Sequence, residues 1–160
     1  MTIADTTGAT TFATPSDLEI RVTRVLDAPR ELVWDAWTKP EHITQWMLGP
    51  EGWTMPVCDV DLRVGGAWHF GWRMGDGCEM EMRGEYREVS PPERLVTTES
   101  WGGDWPETLN TIELDEEDGR TTVTQTTLFP SREARDAALG TGMESGMTAS
   151  FDRLAAYLAA

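Results

Sequence analysis

Glu99 is the residue of this sequence whose type and setting best suit chemistry. In "RLVTTESW" the side chains of Thr97, Glu99 and Trp101 fall on one face of an extended segment, because side chains alternate across a strand. If that face is concave, Glu99 is a carboxylic acid held among apolar groups, with a raised pKa, able to act as general acid or base. If it is convex, Glu99 is a surface glutamate. Arg73 and Arg94 are its candidate ion-pair partners, and Tyr86 is the second candidate for proton chemistry.

The other chemical side chains offer less. His42, between Glu41 and Ile43, is expected to face solvent, and His69 to lie opposite an aromatic face. Neither has a second His or a Cys at ligand spacing, so no metal site and no cofactor are expected. Ser145 in "GMESGM" lacks the spacing of a nucleophile elbow and falls in a helical stretch. Gly65-Gly66, Gly75 and Gly77 fall between strands, with no Walker-type lysine following, so they read as turns and not as a phosphate cradle. Cys58 and Cys78 read as two buried free thiols.

These groups must be positioned by the elements around them. Residues 1–17, rich in Thr, Ala and Ser, read as a flexible leader, and residues 18–160 as a single domain. "LEIRVTRVLDA" alternates like a half-buried strand, and Pro29 opens a helix in "PRELVWDAW". Thr38 and Glu41 stand at capping-box spacing before a second short helix. Six further strand-like segments follow from Trp53, separated by turn residues that include Asp118-Gly119, a hairpin signal. Ser131 is placed to cap a helix that Gly140 and Gly142 end. Beyond it Met143, Met147, Phe151, Leu154 and Leu158 form one apolar stripe. The fold class is α+β: a curved antiparallel sheet of about six or seven strands around a long C-terminal helix, with two short helices after the first strand.

The stretch "GGAWHFGWRMGDGCEMEM" decides what such a fold encloses. Trp68, Phe70 and Trp72 share one face, with His69, Gly71 and Arg73 on the other, and Met80, Met82 and Tyr86 continue the pattern. Glu79, Glu81, Glu85, Arg83 and Arg87 read as a solvated, ion-paired face. The aromatic face is expected to look across at Met143, Met147 and Phe151, with Glu99 and Trp101 beside it. Eight Trp and eight Met suit a pocket of irregular shape, and equally a core of uneven width. A partly hollow core is the expectation.

The formal net charge of −15 excludes nucleic acid and an anionic membrane surface as natural partners. No apolar run is long enough to span a bilayer, and the first residues lack the pattern of a signal peptide, so a cytoplasmic location is expected.

Several segments together resemble the START-like (SRPBCC) superfamily, and within it the AHSA1-like branch related to the C-terminal domain of the Hsp90 ATPase activator. The matching stretches are "APRELVWDAWTKPEHITQWMLGP", "DLRVGGAWHF", "GEYREVSPPERLVTTE" and "SGMTASFDRLAAYLA". The resemblance implies the helix-grip fold, with a cavity between the last helix and the sheet. Superfamily members use that cavity for lipids, sterols, polyketides, plant hormones or flavonoid-like molecules, and some are cyclases or hydrolases. Binding of a hydrophobic small molecule, an aromatic one favoured, is the leading expectation, ahead of turnover. A cyclase- or hydrolase-type enzyme using Glu99 or Tyr86 is the alternative. A chaperone-interaction module is a third reading, although an Hsp90-type chaperone is not the expected partner. Homodimerisation is compatible with each.

Overall fold

Strand β2 (Glu19–Leu26) shows how the sheet is laid down. Ile20, Val22 and Leu26 are buried in strict alternation with partly exposed neighbours, the two-residue period of a sheet with one covered face. The computed structural model describes residues 10–102 and 105–159. After β2 come α1 (Arg30–Thr38) and α2 (Pro40–Trp46), then β3 (Trp53–Val60), β4 (Ala67–Met74) and β5 (Glu79–Ser90). The chain continues through β6 (Arg94–Glu99), β7 (Thr108–Glu117), β8 (Arg120–Leu128), α3 (Arg132–Leu139) and α4 (Met143–Ala159). Asp118 and Gly119 both take positive φ, 53° and 77°, as a tight hairpin between β7 and β8 requires.

The strands form one antiparallel sheet of eight, ordered β1-β2-β8-β7-β6-β5-β4-β3. The strand beyond the expected number is β1 (Thr11–Ala13), which pairs Thr11 with Thr23 and Ala13 with Arg21. It lies in the stretch expected to be a flexible leader. Its few residues carry no readable periodicity, and the exposed edge of β2 supplies its hydrogen-bond partners. Residues 1–9 of that leader lie outside the described residues.

The expected capping box does not form. Thr38 ends α1, buried, with its hydroxyl donating back to the Trp34 carbonyl at 2.8 Å, and α2 receives no side-chain cap. Helix α2 starts instead from Lys39 with Pro40 in its first turn. Ser131 does cap α3, accepting from the Ala134 N–H at 3.1 Å.

Helix α4 closes the core through Phe151 and Leu154, both buried against α1, α2 and the sheet. A polar tie holds it there. Arg24 occupies a core-facing position of β2, only 3% exposed, and its guanidinium meets Asp152 of α4 at 2.7 Å and the Thr10 hydroxyl at 2.8 Å. A buried cation needs such partners.

Gly84 marks the tightest approach within the sheet. A Cβ there would overlap the Thr98 carbonyl oxygen and press on the Trp68 ring at 2.7 Å. Gly84→Ala is therefore expected to destabilise the fold by about 1–3 kcal/mol. Gly75, whose added Cβ would meet nothing within 4 Å, is the control: Gly75→Ala should stay within about 0.5 kcal/mol of the parent. Urea midpoints of the two variants test this, and equal midpoints would contradict it.

Candidate functional site: a tryptophan-lined cavity

The wall of the site is built from strand register. Trp72 pairs with Met80, Phe70 with Met82 and Trp68 with Gly84 across β4 and β5, and directly paired residues project to the same face. The rings lean on one another: Trp68 and Phe70 have centroids 4.7 Å apart, and Phe70 meets Trp72 edge-on at 6.0 Å. Helix α4 lays Met143, Met147 and Phe151 opposite. Between them the side chains do not meet everywhere, and a cavity of about 1150 Å³ remains. That volume slightly exceeds the usual range of small-molecule sites, roughly 300–1,000 Å³. The core is hollow on this side.

Trp68, Phe70, Trp72, Met80, Met82 and Tyr86 all line it, together with Glu99, Trp101 and the three α4 residues just named. The structure adds Trp37 and Trp46 from the short helices, Trp53 from β3 and Trp105 beyond β6. Seven of the eight tryptophans thus reach one space, only Trp34 standing apart. Trp37 and Trp46 show in the sequence only as the apolar side of helices, and Trp105 stands in a segment without periodicity. Nothing in their local pattern signals a shared wall.

Several rings are fixed by hydrogen bonds. The Trp72 indole N–H donates to the Met47 carbonyl at 2.7 Å, and that of Trp46 to the Ala36 carbonyl at 2.8 Å. Trp72 also stacks on Trp101, centroids 5.6 Å apart, although Trp101 itself is 42% exposed. Deeper in, the Thr127 hydroxyl donates to Asn110 Oδ1 at 3.0 Å. The indole N–H of Trp68 is buried without a partner among the described residues.

Glu99 is an ionisable group of the cavity wall. It ends β6, is half-buried, and contributes to the cavity wall. Burial raises its carboxyl from 4.5 to about 7. Neither expected partner reaches it. Arg73 pairs with Glu79 at 3.4 Å, and Arg94 pairs with Glu88 and Glu113, each at 3.3 Å. The strand period explains this: both arginines project from positions committed to the solvated face. Among the described residues Glu99 has no hydrogen-bond or ion-pair partner. Burial first, and then Cys58 and Asp61, hold the Tyr86 phenol well above its usual range, so it stays protonated at neutral pH and cannot serve there as a base.

The remaining candidates sit elsewhere. His42 does not face open solvent: its Nδ1 lies 2.6 Å from the Tyr157 hydroxyl of α4, a partner 115 positions away that local sequence cannot reveal. His69 lies on the outer face, 3.3 Å from Glu81. Arg83 joins Glu81 at 3.5 Å and Arg87 joins Glu85 at 3.6 Å, the ion-paired face expected. Both cysteines are free. Cys58 is partly buried, its thiol pushed up to about 11 by burial and then by Asp59 and Glu41. Cys78 is exposed and not buried as expected, because it stands in the turn before β5 and not within the strand. Among the described residues no group of three or more His, Cys, Asp or Glu is placed to hold a metal ion, and no helix is long and apolar enough to cross a membrane.

Comparison with known proteins places this architecture. A protein from Rhodobacter sphaeroides superposes with a TM-score of 0.89 at 27% identity, over 94% of this chain and 97% of that one. A protein from Chromobacterium violaceum is 30% identical, with a TM-score of 0.75 over 87% of this chain and 96% of that one. An AHSA1-like protein from Aeromonas hydrophila shares the fold, with a TM-score of 0.69 at 24% identity over 86% of this chain and 94% of that one. No curated protein sequence matches the chain. The family model described as activator of Hsp90 ATPase homolog 1-like protein matches residues 27–159. That span runs from the entry of α1 to the last residue of α4, the helix that closes the cavity, and the chain belongs to this AHSA1-like family, on the helix-grip fold.

Proposed function

We propose that the protein binds a hydrophobic small molecule, an aromatic one favoured, in the cavity between α4 and the sheet. The observation that carries this reading is the unfilled volume of about 1150 Å³ walled by seven tryptophans. Side chains lining an empty space forgo dispersion contacts, and an apolar occupant restores them. Broad, rigid rings bind such an occupant at low entropic cost.

A titration of intrinsic tryptophan fluorescence against flavonoids, aromatic polyketides, fatty acids and sterols tests it, with the melting temperature followed in parallel. Saturable quenching together with a raised melting temperature is the expected result, since a ligand of the native state must stabilise it. Trp101→Ala should weaken that binding by about three- to tenfold, the worth of one aromatic contact. No quenching and no thermal shift across the panel would sink the reading.

Acid–base catalysis in the same cavity is a second reading, favoured by Glu99, whose carboxyl stands at about 7. A general acid or base works best near the operating pH. This reading requires that Glu99→Gln abolish turnover of a bound ligand while leaving its affinity measurable. Unchanged turnover in the variant would remove Glu99 from the chemistry.

A further inference from the structure

We infer that the occupant of this cavity is an organic cation: a quaternary ammonium or protonated amine carried on a flat aromatic body. The inference rests on the ligand-binding reading above and names the chemistry of the ligand. Its first support is the distribution of charge around the cavity. Glu79, Glu81 and Glu99 border it, and no Lys, Arg or His does, although every Lys, Arg and His of the chain lies among the described residues. Glu79 and Glu81 are already compensated on the outer face, by Arg73 at 3.4 Å and by Arg83 at 3.5 Å. Among the described residues Glu99 has no such partner. A half-buried carboxylate beside apolar rings is costly to ionise without a partner, and one positive charge is what the site lacks.

The second support is the wall itself. Trp72 and Trp101 stack beside the cavity with ring planes 20° apart, and further tryptophans surround it. The face of an indole is the best aromatic surface for a cation. An anion meets the same faces and the same carboxylate with repulsion, and a neutral ligand gains no charge pairing from Glu99. The third support is long-range: with a net charge of −15, the surface field raises the local concentration of cations.

The ionisable groups around Glu99 agree in sign. On β5 they are Tyr86, a neutral phenol at neutral pH, and the outward-paired Glu79 and Glu81. The Thr108 position opposite Glu99 on β7 and the Asn110 that follows on the cavity wall are uncharged. Arg87 borders a separate shallow depression of about 320 Å³ with Glu107. On α4 the guanidinium of Arg153 is held by the carbonyls of Trp46 and Gly49, at 3.3 and 3.1 Å, and does not line the cavity. With Glu99 raised to about 7 by burial, cation binding favours its ionised form. Affinity for a cation therefore rises with pH through that value and falls below it.

Three probes that share one two-ring body separate the possibilities: (2-naphthylmethyl)trimethylammonium, 2-naphthylmethanol and 2-naphthylacetate, titrated calorimetrically at low ionic strength at two pH values, one either side of 7 (about 8 and 5.5). The ammonium has no titrating proton, so any pH dependence belongs to the protein. It is expected to bind about tenfold more tightly than the alcohol at the higher pH, and to lose about tenfold in affinity at the lower. The alcohol should bind equally at both, and the carboxylate most weakly. Glu99→Gln should erase the preference and the pH dependence together. An alcohol or carboxylate that binds as well as the ammonium overturns the cation inference and leaves the hydrophobic-ligand reading standing. Failure of the ammonium to bind also overturns the inference, and the fluorescence panel then decides the broader reading separately.

Discussion

Trp46→Ala is expected to lower the stability of the domain by about 3–5 kcal/mol, the range for removing a fully buried large aromatic. The ring is 2% exposed. It lies 4.6 Å from Trp37, stacks 6.2 Å from Phe151 and donates its N–H to the Ala36 carbonyl, so it joins α1, α2 and α4 at one point. Truncation extends an existing cavity and leaves that carbonyl without its donor. Trp101→Ala, at the exposed end of the same cavity, should cost under about 1 kcal/mol. Urea denaturation of both variants measures the contrast. Similar losses would mean that the cavity has no distinction between a supporting wall and a free one.

Glu99→Gln is expected to make the protein more stable at pH 8 and to change it little at pH 5. The folded protein holds the Glu99 proton up to about 7, against an ordinary value of 4.5. Between those values the native state binds more protons than the unfolded chain, so stability falls as pH rises through the interval. Above about 7 the whole loss is present, and below 4.5 none of it is. The interval corresponds to at most about 3 kcal/mol, reduced by whatever water the cavity admits. Glutamine keeps the shape and never ionises, so it escapes the loss. Thermal melts of parent and variant at the two pH values give the answer directly. A variant less stable than the parent at pH 8 would show that ionised Glu99 already has a favourable partner, and would undercut the cation inference as well.

Both predictions depend on features that differ in how far sequence reveals them. The alternation of Trp68, Phe70 and Trp72, the stripe on α4 and the Asp118-Gly119 turn are visible because the chain's own geometry repeats every two or every 3.6 residues. So are the four stretches that carry the family resemblance. The eighth strand was not visible, since β1 is three residues long and owes its existence to the edge beside it. Arg24 falls by parity on the buried face of its strand with Ile20, Val22 and Leu26, and only partners from elsewhere in the chain, Asp152 of α4 and the Thr10 hydroxyl, make that position tolerable.

The amino-acid sequence by itself determined the order of elements from β2 onward, the family, and which side chains share a face with Glu99. The tertiary structure alone decided that this face is concave, that the core behind it is hollow, and that among the described residues Glu99 stands there without a partner while Arg73 and Arg94 pair elsewhere. The reason is physical: periodicity assigns a residue to one side of a strand. Curvature, leftover volume and the absence of a counter-charge depend on how segments far apart in the chain fill, or fail to fill, the same space.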